Sequence, residues 1–171
     1  MTEEDRTLPA VVEKAHASGF FEDHDGHDFQ PDDMFMRSGE TKDWWRHWTG
    51  DSAADVPPFR VFGRDGSGGL AAFWIRAPGA AIEKQPIVFL GSEGELQVIA
   101  RDMGDYLWLL ANGVGPLETV DGLHRVPEPV PQLVAIAQRY TGTAPRTVEA
   151  LIAAADAELP ALTALVNSAT K

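Results

Sequence analysis

Four short apolar runs crowd the middle of the chain: FRVFG, LAAFWI, PIVFLG and LQVIA. They are rich in Val, Ile and aromatic residues, and the segments between them (RDGSGG, RAPGAAIEKQ and SEGE) are turn-rich. That pattern predicts strands joined by tight connections. Too few residues separate them to hold crossover helices, so an antiparallel meander follows. FRVF alternates only weakly, and FWI and IVFL do not alternate. The central strands are therefore expected to be covered on both faces.

Helical patterns flank this region. LPAVVEKAHAS (8–18) predicts a short helix closing at Gly19. SGETKDWWRHWTG predicts a second, with Ser38 or Thr41 as its cap and Gly50 just beyond its end. Within it, Trp44 and Trp48 are four apart and share a face. RDMGDYLWLLANG predicts a helix capped by Asp102, with Asp105 in its first turn and Gly113 at its end. Leu107, Leu110 and Ala111 form its apolar stripe, with Tyr106 alongside. After the Pro-punctuated stretch GPLETVDGLHRVPEPVP, helices are predicted near 131–140, 144–158 and 160–168, the last two divided at Pro160. The expected fold is a single α+β domain over 1–171: an antiparallel meander of four or more strands flanked by helices, with a helical C-terminal segment from 130 to 171.

At 171 residues the chain suits one core, and its 44% apolar content fits a globular protein. It has no Cys, which excludes disulfides, thiol catalysis and zinc–thiolate sites. The opening MTEEDRTLPAVVEK is acidic and lacks an apolar core, unlike a secretory signal, and no run nears the length of a membrane span. A soluble, cytoplasmic protein is the expectation.

Net charge is -12, which argues against nucleic acid as a partner. Residues 1–60 hold 14 acids against 6 bases, a net of -8, and residues 61–171 hold 12 against 8, a net of -4. The densest piece, EDHDGHDFQPDD (22–33), carries six carboxylates without Lys or Arg. A solvated loop is the plain reading of such a run. An encounter surface for a basic protein is the functional one, and it singles out Asp25, Asp28, Asp32 and Asp33.

FGRDGSGGLAAFWI invites three readings of Ser67: a nucleophile, part of a phosphate cradle, or a residue of a bend. Gly66 separates Asp65 from Ser67, unlike a protease signature, and no His sits in a catalytic context. A P-loop needs a Lys-Ser/Thr pair opening a helix, and the Rossmann fingerprint also needs a following helix, whereas a strand follows here. A glycine turn between strands is expected instead, with positive φ assigned to Gly69. Asp23, His24, Asp25, His27 and Asp28 are metal-ligand types, but their glycine does not fall in the sixth position of a calcium loop. Glu93 and Glu95 are two apart on a tight turn, where they diverge into solvent rather than flank a substrate. Trp44, Trp45 and Trp48 suit either a core or a sugar-binding platform. No cofactor or metal is expected, and no enzymatic constellation is found.

HDFQP, TKDWWRHWTG, FGRDGSGGLAAFWI, QPIVFLGSEGE and ARDMGDYLWLLANGVGP, in that order and spacing, resemble the SUKH superfamily. The likeness is to the actinobacterial branch of the yeast cell-wall-assembly regulator and killer-toxin-resistance family. It runs from about Asp28 to Glu118, and the C-terminal helices fit the family's usual ending. It implies an α+β fold with a bent antiparallel sheet and a non-catalytic, protein-binding role. Many bacterial members are immunity proteins that neutralise polymorphic toxins. The family's N-terminal helix leading to Leu-Pro has no counterpart, since Leu8-Pro9 lies too early. Partner-binding positions are therefore expectations from this chain's own residues: Asp25, Asp28, Asp32, Asp33, Trp45, Glu93 and Glu95. A small-ligand or carbohydrate-binding protein using a Trp-lined cleft is the alternative.

Overall fold

The computed structural model describes residues 4–22 and 28–170. Its centre is a five-stranded sheet in the order β1-β2-β3-β4-β5, every neighbouring pair antiparallel. The strands are β1 (Gln30–Pro31), β2 (Phe59–Arg64), β3 (Leu70–Trp74), β4 (Ile87–Leu90) and β5 (Leu96–Ala100). The expected meander is present, and the two-residue β1 adds an edge strand before it. The helices are α1 (Ala10–His16), α2 (Ser38–Thr49), α3 (Met103–Ala111), α4 (Glu118–Asp121), α5 (Pro131–Thr141), α6 (Val148–Asp156) and α7 (Leu159–Ala169). The fold is α+β, as the patterning implies.

Every residue of β3 and β4 is buried. Successive side chains on a strand point to opposite faces, so two cores form. On one face Phe62, Ala71, Phe73, Ile87, Phe89 and Ile99 meet α1, α3 and α5. On the other, Phe59, Val61, Leu70, Ala72, Trp74, Val88, Leu90 and Val98 meet α2 and α7. α6 packs beside β5 and serves both cores, through Leu151 on the first and Ala155 on the second. A β-bulge between Val61 and Gly63 interrupts the β2–β3 register. Gly63 sits where a Cβ would collide with the Phe29 ring, so a glycine lets β1 cross closely.

α3 is the inner helix. Met103 and 105–111 are all buried, so the expected stripe of Leu107, Leu110 and Ala111 is one part of a helix enclosed on all sides. Its cap is as expected: the Asp102 carboxylate accepts the Asp105 N–H at 2.9 Å. Gly113, two residues past the last helical turn, has φ +79°.

The start of α2 departs from expectation. Arg37 is the N-cap, and its N–H donates to Glu40 at 3.2 Å. Ser38 is the first helical residue, and its N–H donates to the Glu4 carboxylate at 3.1 Å. Thr41 lies inside the helix and returns its hydroxyl to the Arg37 carbonyl. A carboxylate from 34 residues away thus serves this helix end. Gly50 closes the helix with φ +72°. The first helix is shorter than expected, and the 144–158 helix begins only at Val148, where Thr147 caps it.

His16 Nε2 lies 3.0 Å from the Tyr106 hydroxyl, and the His16 ring packs among Phe21, Phe62 and Tyr106. Its Nδ1 is closed to solvent and unpartnered. Burial lowers the imidazole pKa from 6.5 to about 4 and pushes the Tyr106 phenol upward.

Two outcomes follow from these interiors. Leu110→Ala should cost about 2–5 kcal/mol in chemical denaturation, because the site is enclosed by sheet and helix. The folded state holds His16 as the neutral base, so its contribution is complete above pH 6.5 and is lost as pH falls toward 4. A shift of this size amounts to about 3 kcal/mol. In His16→Gln that portion of the acid destabilisation should disappear, as read by urea midpoints across pH 4–7.

Candidate functional site

One end of the sheet collects the turns on which the sequence placed its chemistry. The β2–β3 turn is organised by Asp65, which is buried. Its carboxylate accepts the Gly69 N–H at 2.7 Å, and the Ser67 N–H and hydroxyl each at 2.9 Å. This is an Asx-type turn in which the side chain stands in for a backbone acceptor. Ser67 is exposed, and its hydroxyl receives a second bond from Ser92 Oγ at 3.0 Å. The β2–β3 turn is thereby joined to the β4–β5 turn. None of the described histidines, His16, His47 and His124, bonds Ser67. Positive φ belongs to Gly68 (+96°), not Gly69. Gly69 is needed for space, since a Cβ there would lie 2.7 Å from the Phe89 ring.

Asp28 lies at this end, and Asp32 and Asp33 follow β1 away from it. Asp28 is exposed and accepts the Gly66 N–H at 3.2 Å. Asp32 pairs with Arg64 at 3.1 Å where β1 leaves the sheet. Asp33 is exposed beside it, facing the N-terminal segment. On the β4–β5 turn both glutamates are exposed. Glu93 stands at the rim of a shallow cleft with His47 and Trp48, whereas Glu95 folds back to accept the Glu93 N–H at 3.1 Å. Asp23, His24, Asp25 and His27 lie outside the described residues. Among the described residues no three metal-ligating side chains converge.

The cations interleaved with these acids are engaged internally. Arg6 donates to the Phe35 carbonyl at 2.6 Å, Arg60 to the Asp5 carbonyl at 2.6 Å, and Arg64 to Asp32. A hydrogen bond to a carbonyl leaves the charge of a guanidinium in place: Arg6 and Arg37 line the same cleft as Asp33, and Arg64 lines that of Asp28, whereas Glu93 stands in a cleft whose lining holds no Lys or Arg.

The three tryptophans of α2 belong to the second core. Trp48 stacks between its neighbours, with ring centroids 5.5 Å from Trp44 and 5.6 Å from Trp45. The Trp48 indole N–H donates to the Gly91 carbonyl at 2.7 Å. Trp45 is only 3% exposed and meets Phe59 edge-on. It was expected at a partner surface, but the helix turns it against β2, out of a partner's reach. The bond to Gly91 ties α2 to the same turn that carries Glu93.

Sequence reasoning missed a second polar cluster, at the start of α3. Asp105 is buried and accepts from Arg101 Nε at 2.8 Å and also from Arg146. The Arg101–Asp105 spacing of four was legible, but Arg146 lies 41 residues on and gave no signal.

Comparison with known proteins finds no matching family model, no matching curated protein and no matching solved structure. Among the described residues no helix is long and apolar enough to cross a membrane.

Asp65 and Ser67 should separate cleanly in equilibrium denaturation. Ser67→Ala should shift stability by less than about 0.5 kcal/mol, whereas Asp65→Ala strands two backbone donors and should cost about 1–3 kcal/mol. Gly69→Val should also destabilise, by collision with Phe89 rather than by backbone strain.

Proposed function

We propose that the chain is a non-catalytic protein-binding module, an immunity protein or intracellular regulator that engages a basic protein such as a toxin. The exposed carboxylates of Asp28, Glu93 and Glu95, gathered at the turns of one end of the sheet, carry this reading. A protein that holds phosphates must be basic where it holds them, and an acidic surface is complementary to that region. Asp28 holds the β2–β3 turn and Glu93 and Glu95 lie on the β4–β5 turn, the two turns joined by the Ser67–Ser92 hydrogen bond, while Asp32 pairs with Arg64 and Asp33 faces the N-terminal segment.

The rival reading, a carbohydrate- or small-ligand-binding cleft, needs two aromatic rings open along a groove. Trp45 is enclosed and Trp48 is sandwiched and hydrogen-bonded, so the platform it requires is occupied by core packing. Ser67 serves its own turn: its hydroxyl donates to the Asp65 carboxylate that organises the turn and, among the described residues, bonds no histidine. The resemblance to the SUKH superfamily supports the same reading.

The test is kinetic. A partner is captured from the native host, and its association rate is measured against salt for the wild type and for a variant with Asp25, Asp28, Asp32 and Asp33 all changed to Asn. Rim charges act mainly on association. The variant should associate about tenfold more slowly at low ionic strength, and the gap should narrow toward 0.15 M, where the Debye length is about 8 Å. An association rate indifferent to both salt and the four substitutions would overturn the proposal.

A further inference from the structure

The cluster at the start of α3 opens into a cleft of about 480 Å³ on the first-core side of the sheet. Lys84, Arg101, Tyr140 and Arg146 line it, together with Glu83, Asp102 and Asp105. Asp105 sits at its base and receives one bond from each arginine. That leaves both Nη groups of Arg101, and Nε and one Nη of Arg146, without a protein acceptor among the described residues. The Lys84 ammonium and the Tyr140 hydroxyl are likewise unspent, and Tyr140 is 40% exposed.

Acceptors are scarcer. Asp105 has both oxygens on the arginines, and Asp102 spends one on the Asp105 N–H that caps the helix. The Thr143 hydroxyl already accepts from the Trp108 indole and bonds Thr141. Glu83 is the carboxylate in the lining without a hydrogen bond or ion pair. The lining sets Lys84, Arg101 and Arg146 against Glu83, Asp102 and Asp105, and Asp102 and Glu158 act on Arg101 alongside Asp105, so the cleft offers an anion directed guanidinium donors rather than a net charge. Guanidinium donors in a planar fork match the geometry of a carboxylate or a phosphoryl group.

We propose that this cleft binds a small-molecule oxyanion of the phosphate-monoester class. Arg101 and Arg146 grip the phosphoryl oxygens, Lys84 and the Tyr140 hydroxyl complete the cradle, and the Tyr140 ring lies along the ester substituent. The site is separate from the acidic end of the sheet, so this inference stands apart from the protein-binding role. A cleft of this size suits a small molecule.

The experiment is calorimetric titration of the full chain with inorganic phosphate, phenyl phosphate and benzoate at constant ionic strength set with chloride. The Trp108 indole N–H resonance serves as a local reporter. Saturable binding is expected for both phosphates, tighter for phenyl phosphate and weakest for benzoate. A preference for benzoate would overturn the phosphate assignment. Lys84→Gln and Arg101→Gln should each loosen phenyl phosphate about tenfold, the cost of one charge-assisted contact. Arg101→Gln leaves Arg146 on Asp105, and Lys84→Gln and Tyr140→Phe touch no structural bond, so folded variants remain available. Glu83→Gln should tighten binding by removing a repelling charge. No saturable response to either phosphate, or responses equal in wild type, Lys84→Gln and Tyr140→Phe, would overturn the proposal.

Discussion

β3 and β4 expose no side chain on either face, and the rest of the molecule is arranged around that constraint. A sheet apolar on one side needs one covering layer, whereas this one needs two. The first is built from α1, α3 and α5, and the second from α2 and α7. α6 closes the flank at β5, where it contributes to both cores. The enclosure of α3 is the sharpest result of this arrangement. With sheet on one side and α5 on the other, it is buried along nearly its whole length and meets solvent only at the cleft by its first turn, so its polar residues take protein partners. Asp105 does so through two arginines and Tyr106 through His16.

Legibility in the sequence follows the range of each interaction. Non-alternating FWI and IVFL announced strands covered on both sides, and Asp102 before an apolar run announced a cap; both rest on neighbours within a few residues. β1 was silent because it is two residues long and one is proline, so it carries no periodicity. The Glu4 bond to Ser38 spans 34 residues and has no local trace. Gly68 and Gly69 are indistinguishable as letters, yet one supplies backbone conformation and the other supplies space. Spacing showed that Trp44 and Trp48 share a face, but not which way the helix turns. That left Trp45 among the expected contact residues until its packing against Phe59 was seen.

The chain's acidity divides into two populations. Asp65, Asp102 and Asp105 accept backbone or guanidinium donors from buried or half-buried positions and work as internal struts. Asp28, Asp33, Glu93 and Glu95 keep exposed oxygens at the surface. Internal hydrogen bonds remove none of the formal net charge of -12, so the location of the exposed carboxylates is what gives the acidity a direction.

The order in which the layers occur along the chain bears on biosynthesis. A meander pairs strands that are sequence neighbours, so the sheet can assemble as soon as residue 100 has left the ribosome. Its second face is then only partly clothed: α2 is already made, but Leu162 and Val166 of α7 lie far downstream of β5. Until they arrive, Val88, Leu90 and Val98 lack part of their cover, and the nascent protein displays an adhesive strand surface. A ribosome stalled shortly before Leu159 would hold out such a surface, so α7 is the element that clothes it.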